Sequence, residues 1–324
     1  MKSGSFEVTE DHIISLLSYA VLAPSSHNTQ PWRFEVSDGI IYLFADRSRS
    51  LPVNDPNDRE LTISCGCALM NLRVAAAHHG IGLDIALFPD ADNLDLLATI
   101  RVDTAELAST NLSHLFSSIK TRRTYRKHFS SNKLPPSILE TLSATASDEN
   151  CWLDIIESSD TRQQISQLVF DGNIIQWANS DWRRELAAWM HSLHQGDGLT
   201  VPALIAPVAK IVVRTLNMGN SVGAKDKQLS IDSPMLAILG SEGDKMDNWL
   251  TTGQALQKVL LMAQSFGLQA SYLNQPIQVS SLRPQLQELL QQTGFPQILL
   301  RLGFPEAEVK AAPRRALKEV IDFK

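Results

Sequence analysis

Apolar positions recur every three to four residues from Asp11 to Leu22. Ile13, Ile14, Leu16, Leu17 and Ala20 mark one helical stripe, with Thr9 as its N-cap. Alternation then takes over, and Phe34–Val36 and Ile40–Phe44 read as two strands around a turn at Asp38-Gly39. Asn54 to Asp58 is a polar loop. Glu60 to His79 returns to helical spacing and stops at Gly80, with strands predicted at Leu83–Phe88 and Leu96–Val102. Leu112–Ile119 is helical, and Pro135-Pro136 opens another helix through Ala144. A strand at Trp152–Ile156 and a helix at Thr161–Ala178 follow. From Asn179 to Leu229 the pattern loosens around Gly196, Gly198, Gly219 and Gly223, which predicts an insertion at about 180–230 lying over another surface as a lid. Regular spacing resumes with strands at Met235–Gly240, Leu268–Leu273 and Gln297–Leu302 and helices at Trp249–Phe266 and Ser281–Gln292.

The two strongest helices repeat one another. Gly66-x-Ala68-Leu69 matches Gly253-x-Ala255-Leu256, and the register holds through Leu72/Val259, Val74/Leu261 and Ala76/Ala263 to the stops Gly80 and Gly267. Small residues on one helix face suit the close packing found at the centre of a two-fold dimer. Two such helices in one chain predict tandem halves, 1–105 and 106–324, that form an internal pseudo-dimer, so that a monomer suffices.

At 324 residues the chain is long for a single core, in keeping with a doubled architecture. Hydrophobic content of 44% and charged content of 20% are those of an ordinary soluble globular protein, and a net charge of -6 argues against nucleic acid as a partner. Cys65, Cys67 and Cys151 make no disulfide framework and suit a reducing compartment. The most apolar stretch, Val201–Val213, is too short to span a bilayer and contains Pro202, Pro207 and Lys210. Met1–Thr9 has no signal-peptide pattern. A cytoplasmic protein without a membrane partner is the expectation. No Gly-x-Gly-x-x-Gly follows a strand, and His191-x-x-His194 lacks the intervening Glu of a zinc motif and reads as surface helix.

Three patches remain. Pro24-Ser25-Ser26-His27-Asn28-Thr29-Gln30-Pro31-Trp32 packs six hydrogen-bonding side chains between two prolines, more than a connecting turn needs. Arg122, Arg123 and Arg126, with Thr124 between them, suit a dianion, because guanidinium forks bind phosphate bidentately. Arg314-Arg315 forms a second small basic site.

Together these patches resemble the nitroreductase-like FMN proteins, which carry a P-S-x-x-N-x-Q-P-W segment, an R-x-S/T-x-K/R segment and a late Arg. The order here, with the arginine segment a hundred residues after the first motif, is similar to the double-length, Acg-like branch. The resemblance implies an α+β fold, a nitroreductase-like mixed sheet with central helices, and one FMN site built jointly by the two halves. It assigns Arg122, Thr124 and Arg126 to phosphate and ribityl, with the backbone of Arg123 beside them. Ser25, Ser26, His27, Asn28 and Gln30 reach across from the other half, and Arg315 completes the phosphate site, with Arg314 beside it among the cofactor-binding residues. The loop Gln275-Pro276-Ile277-Gln278 lies along the isoalloxazine, with the Gln278 N–H offered to flavin N5. The implied activity is transfer of reducing equivalents from NAD(P)H through FMN to a small-molecule acceptor, a nitroaromatic, quinone or similar. The rival is an FMN-sequestering or storage protein whose lid blocks substrates.

Overall fold

A computed structural model describes residues 9–103, 110–192, 195–290 and 292–324. The first half opens with α1 (Glu10–Ala20), capped by the Thr9 hydroxyl accepting from the His12 N–H. Strands β1 (Trp32–Ser37) and β2 (Ile40–Ala45) then form a hairpin. Its two-residue turn places Asp38 and Gly39 at φ 51° and 74°, the conformation that matches the twist of paired strands. Helix α2 (Arg59–His78) and strands β3 (Gly82–Leu87) and β4 (Leu96–Asp103) follow.

The second half runs α3 (Phe116–Thr121), α4 (Pro136–Ser147) and β5 (Trp152–Ile155). Then come α5 (Ser159–Ala178), α6 (Ser180–Ala188), β6 (Met190–His191), β7 (Leu199–Thr200), α7 (Ala206–Thr215) and α8 (Gly219–Ile231). Strand β8 (Met235–Ser241), α9 (Met246–Ser265), β9 (Gln269–Tyr272), α10 (Gln275–Gln278), α11 (Arg283–Leu290), β10 (Phe295–Gly303) and β11 (Ile321–Phe323) complete it. The span expected to be helical at Leu112–Ile119 is a 3-10 turn at Thr110–Leu115 that leads into α3. The expected boundary between halves, at 105/106, lies outside the described residues.

The two large sheets share one design. Their orders are β11-β1-β2-β4-β3 and β5-β8-β10-β9, so β1, β2, β4 and β3 correspond in turn to β5, β8, β10 and β9, every pair antiparallel. Where the first half joins β1 to β2 by two residues, the second inserts α5 through α8 between β5 and β8. The connection between β5 and β8 thus holds α5 as well as the stretch at about 180–230 read as an insertion. Strand β11 adds parallel to β1 and makes the first sheet mixed.

Helices α2 and α9 cross at the centre, and their glycines let the backbones touch. A Cβ on Gly66 would lie 2.2 Å from the Leu250 carbonyl oxygen, and one on Gly253 would lie 2.0 Å from that of Ile63. Nearly every residue of α2 is buried. A buried amide pair stitches this contact, Gln257 donating to Asn71 at 2.6 Å and Asn71 to the Tyr19 carbonyl at 3.0 Å. These bonds hold α9 against α2 and α2 against the C-terminal end of α1.

Candidate functional site

The 24–32 loop leaves α1 and is pinned at its end by Trp32, which is fully buried. Between them His27, Asn28 and Gln30 sit at φ 47°, 55° and 52°, a left-handed backbone that costs non-glycine residues about 1 kcal/mol each or more. Hydrogen bonds hold this shape. Ser25 Oγ accepts from the Gln30 N–H at 2.9 Å, and Ser26 donates its hydroxyl to Glu60 at the start of α2. Asn28 Nδ2 donates to the carbonyls of Gly198 at 3.3 Å and Pro313 at 3.2 Å. Gln30 Nε2 donates to Gly196 at 2.8 Å, while its Oε1 accepts from the Arg315 N–H at 2.9 Å. The loop thus clamps two remote segments, 196–198 in the insertion and 313–315 in the tail.

The arginine segment runs as extended chain along β9. Thr124 bridges to Ala270, and the Tyr125 N–H donates to the Ala270 carbonyl at 2.8 Å. Its cations differ in how they are employed. Arg123 gives its backbone N–H to Gln269 and its guanidinium to the carbonyls of Lys120 and Arg122. Arg122 is 7% exposed, and its Nε has no hydrogen-bond partner. Neither the Arg122 nor the Arg126 side chain has a hydrogen-bond or ion-pair partner among the described residues. Arg126 is exposed to solvent; desolvation by the surrounding protein lowers the pKa of both arginines.

Electrostatics tie this segment to the loop opposite. Burial pushes His27 down to about 4; Glu60 works against the shift and Arg126 adds to it. The Tyr272 hydroxyl is buried and unpartnered, its pKa raised by burial against the pull of Arg122 and Arg126. Arg314 falls to about 9 through burial, with Arg122 and Arg123 contributing. His27 thus lies within electrostatic reach of Arg126, and the Tyr272 hydroxyl within reach of both Arg122 and Arg126, while Arg122 Nε, His27 Nδ1 and the Tyr272 hydroxyl are buried without a hydrogen-bond partner.

A scan of known family profiles returns no match. A Mycobacterium tuberculosis H37Rv protein whose provisional name is NAD(P)H nitroreductase is 31% identical over 323 residues, spanning 95% of this chain and 90% of that one. The chain belongs to the nitroreductase family. A second relative from the same organism, provisionally named NAD(P)H nitroreductase Acg, is 28% identical over 97% of this chain and 96% of its own, which places the chain in the Acg-like branch. The FMN-dependent nitroreductase NfnB from Mycobacterium smegmatis, solved with NADPH, aligns with 65% of this chain and 98% of its own at 13% identity and a TM-score of 0.44. That likeness is too loose to carry the assignment, which rests on the near-full-length relatives.

Several of the expected contacts in this nitroreductase-family chain are spoken for. Arg314 spends its guanidinium on the carbonyls of Val21, Leu22 and Ala23 at 2.9–3.0 Å, and also donates to Asn28 Oδ1. It closes the C-terminus of α1 rather than standing free. Arg315 donates to the Glu319 carbonyl at 2.7 Å and lies 3.7 Å from Asp46. The Arg123 N–H belongs to Gln269. Residues 275–278 are a helical turn, not an open loop: the Gln278 N–H bonds the Asn274 carbonyl at 2.9 Å, so it is not the free donor expected there. Pro276 and Ile277 are buried beside it. His191 is not on a surface helix either. It lies in β6, with Nδ1 2.6 Å from Asp197, which also pairs with Arg49. His194 lies outside the described residues.

Two residues the sequence did not single out adjoin the candidate site residues. Glu60, almost fully buried, accepts from Ser26, from Asn274 at 3.1 Å, from Gln278 at 3.0 Å and from Arg59 at 3.2 Å. It joins the 24–32 loop to α10. Tyr272 is the other. A cavity of about 320 Å³ opens beyond Gln278, lined among others by Asn54, Arg59, Asp244 and Arg283; neither Arg122, Arg126 nor His27 lines it.

Proposed function

We propose that this chain is an FMN-dependent oxidoreductase that uses NAD(P)H to reduce a small organic acceptor, a nitroaromatic, quinone or similar. The reading is supported by Arg122, buried, and Arg126, exposed, two cations without counter-charges among the described residues that both lie within electrostatic reach of the Tyr272 hydroxyl. A buried arginine without a partner is costly, and a phosphate dianion would relieve Arg122 while also pairing with the exposed Arg126. The chain's residues therefore fit the FMN phosphate. Arg122 and Arg126 would hold it, with Thr124 and the Tyr272 hydroxyl beside them. Neutral His27 has one ring nitrogen free for a polar atom of the cofactor. Asn28, Gln30 and Arg314 position the loop through the bonds described above, and Ser26 with Gln278 aligns α10 through Glu60. When bound, FMN supplies the redox chemistry between donor and acceptor, so no side chain need act as acid or base toward the nicotinamide.

The test is anaerobic mixing of purified holoprotein with NADPH, read at the flavin absorption band, followed by a quinone or nitroaromatic. Bleaching and then recovery is expected; a protein that retains no FMN and shows no bleaching would sink the reading. Arg122→Ala should weaken FMN binding by about 1.5–3 kcal/mol, the cost of losing a charged donor to phosphate. Fluorescence titration of FMN into apoprotein measures it, and unchanged affinity would remove Arg122 from the site.

A second reading, sequestration of FMN beneath the insertion, draws support from how firmly the insertion is fastened. Besides the bonds to Asn28 and Gln30, Glu185 accepts from the Val53 and Asn54 N–H groups at 2.9 Å, and Trp182 donates to Asn54 at 2.9 Å. A holoprotein that keeps FMN tightly yet does not bleach with excess NADPH would favour this reading.

A further inference from the structure

We propose that α7 is a surface-docking element for an anionic lipid bilayer, lying flat on the headgroup region rather than spanning it. One face of the helix is already used: Val213 packs with Trp177, Trp182 and Ala187. The opposite face has no protein cover among the described residues. Leu204, just before the helix, is 96% exposed, and Val208 and Ile211, one and two turns on, are 63% and 62% exposed. Ile205 and Leu216 widen the same apolar strip. Residues at i, i+4 and i+7 share one side of a helix, so this is one continuous stripe and not scattered surface leucines.

Charge decides what covers the stripe. The protein carries a net charge of -6, yet no Asp or Glu occurs from Gly198 to Lys225, a span containing Lys210, Arg214 and Lys225. Lys210 and Arg214 flank the stripe on α7, and neither has a carboxylate partner among the described residues. The acidic groups on the packed neighbours are occupied: Asp181 pairs with Arg184, Glu185 accepts from Val53 and Asn54, and Asp197 pairs with Arg49 and His191. Pairing α7 with α7 of a second copy would bury the stripe but bring four uncompensated cations together. An anionic headgroup layer accepts the apolar stripe and the cations at once, which is the signature of a helix lying in a membrane interface. No helix among the described residues is long and apolar enough to cross a membrane, so docking on the surface is the geometry left to this stretch. The expectation of no membrane partner rested on the same segment's inability to span, and lying flat escapes that argument.

Flotation of the holoprotein with phosphatidylglycerol/phosphatidylcholine vesicles, and with phosphatidylcholine vesicles alone, tests this. Wild type should float with the anionic vesicles and not with the neutral ones, and added salt should reduce binding. Val208→Asp/Ile211→Asp, which alters only exposed positions, should lower the partition coefficient by about tenfold or more while leaving the circular dichroism unchanged. Lys210→Glu/Arg214→Glu should abolish the preference for anionic lipid. Absence of flotation with anionic vesicles overturns the proposal, as does equal flotation of wild type and the apolar-face variant. So does a dimer, found by light scattering, that Val208→Asp/Ile211→Asp converts to monomer, because the occupant would then be a second copy.

Discussion

His27 is held at φ 47° with an unpartnered buried ring nitrogen, and it resists protonation because burial and Arg126 outweigh Glu60. The unfolded chain takes up that proton near pH 6.5, while the folded chain waits until about 4. Between those values the unfolded state holds more protons, so this residue's contribution to stability is lost as pH falls through the window. Asp55 works the other way. Burial first and Glu60 second raise it to about 6, so its contribution is lost as pH climbs from 3.8 toward 6. Comparing wild type with His27→Asn isolates the histidine, and Asn tolerates the left-handed backbone. The difference in unfolding free energy from urea titrations should change by about 3 kcal/mol between pH 7 and pH 4. A pH-independent difference would mean that His27 is solvated in the folded state. Single residues are also where sequence was least informative. Glu60 in a first helical turn looks like an ordinary N-terminal acid, and Tyr272 in a strand looks like core. Each owes its place to one long-range contact, which leaves no period along the chain.

Elements were more legible, because burial imposes a rhythm that single contacts do not. The shared Gly-x-Ala-Leu of α2 and α9 pointed to a close helix crossing, and those two glycines do meet at the centre of the structure. The Asp38-Gly39 turn was equally readable. Less legible were the 3-10 turn before α3, whose three-residue spacing resembles a helix over so short a run, and β11, whose three residues are too few to alternate. The crossing makes a sharp prediction. Gly66→Ala places a methyl group against the Leu250 carbonyl, with backbone rather than a flexible side chain in the way. About 3 kcal/mol or more of stability should be lost, at the upper end for overpacking. Thermal and urea unfolding measure it, and a variant within 1 kcal/mol of wild type would show that the two backbones can separate cheaply.

Across the whole molecule, the parts of the candidate site come from residues almost three hundred positions apart. The expectation that the 24–32 loop and the arginine segment share one site could be formed from motif order alone, and the proposed function still rests on it. The tail's part could not, since nothing in its composition marks Arg314 as the closure of α1. Deleting residues 313–324 would remove both Arg314 and the pairing of β11 with Phe34–Val36. FMN affinity should fall by at least about tenfold, since several charged and backbone bonds that shape the loop go together. Amide exchange in β1 should quicken as well, read by mass spectrometry. Wild-type exchange and affinity in the truncated chain would make the tail an ornament.

The parallel strand β11 also sets an order of events during synthesis. Domains fold as their sequence leaves the ribosome, N-terminal parts first. Here the earliest hairpin waits for residues 313–324 before its outer edge is covered and its neighbouring loop is locked. The outer edge of that sheet is therefore covered late in synthesis, after every other strand of both sheets has been made.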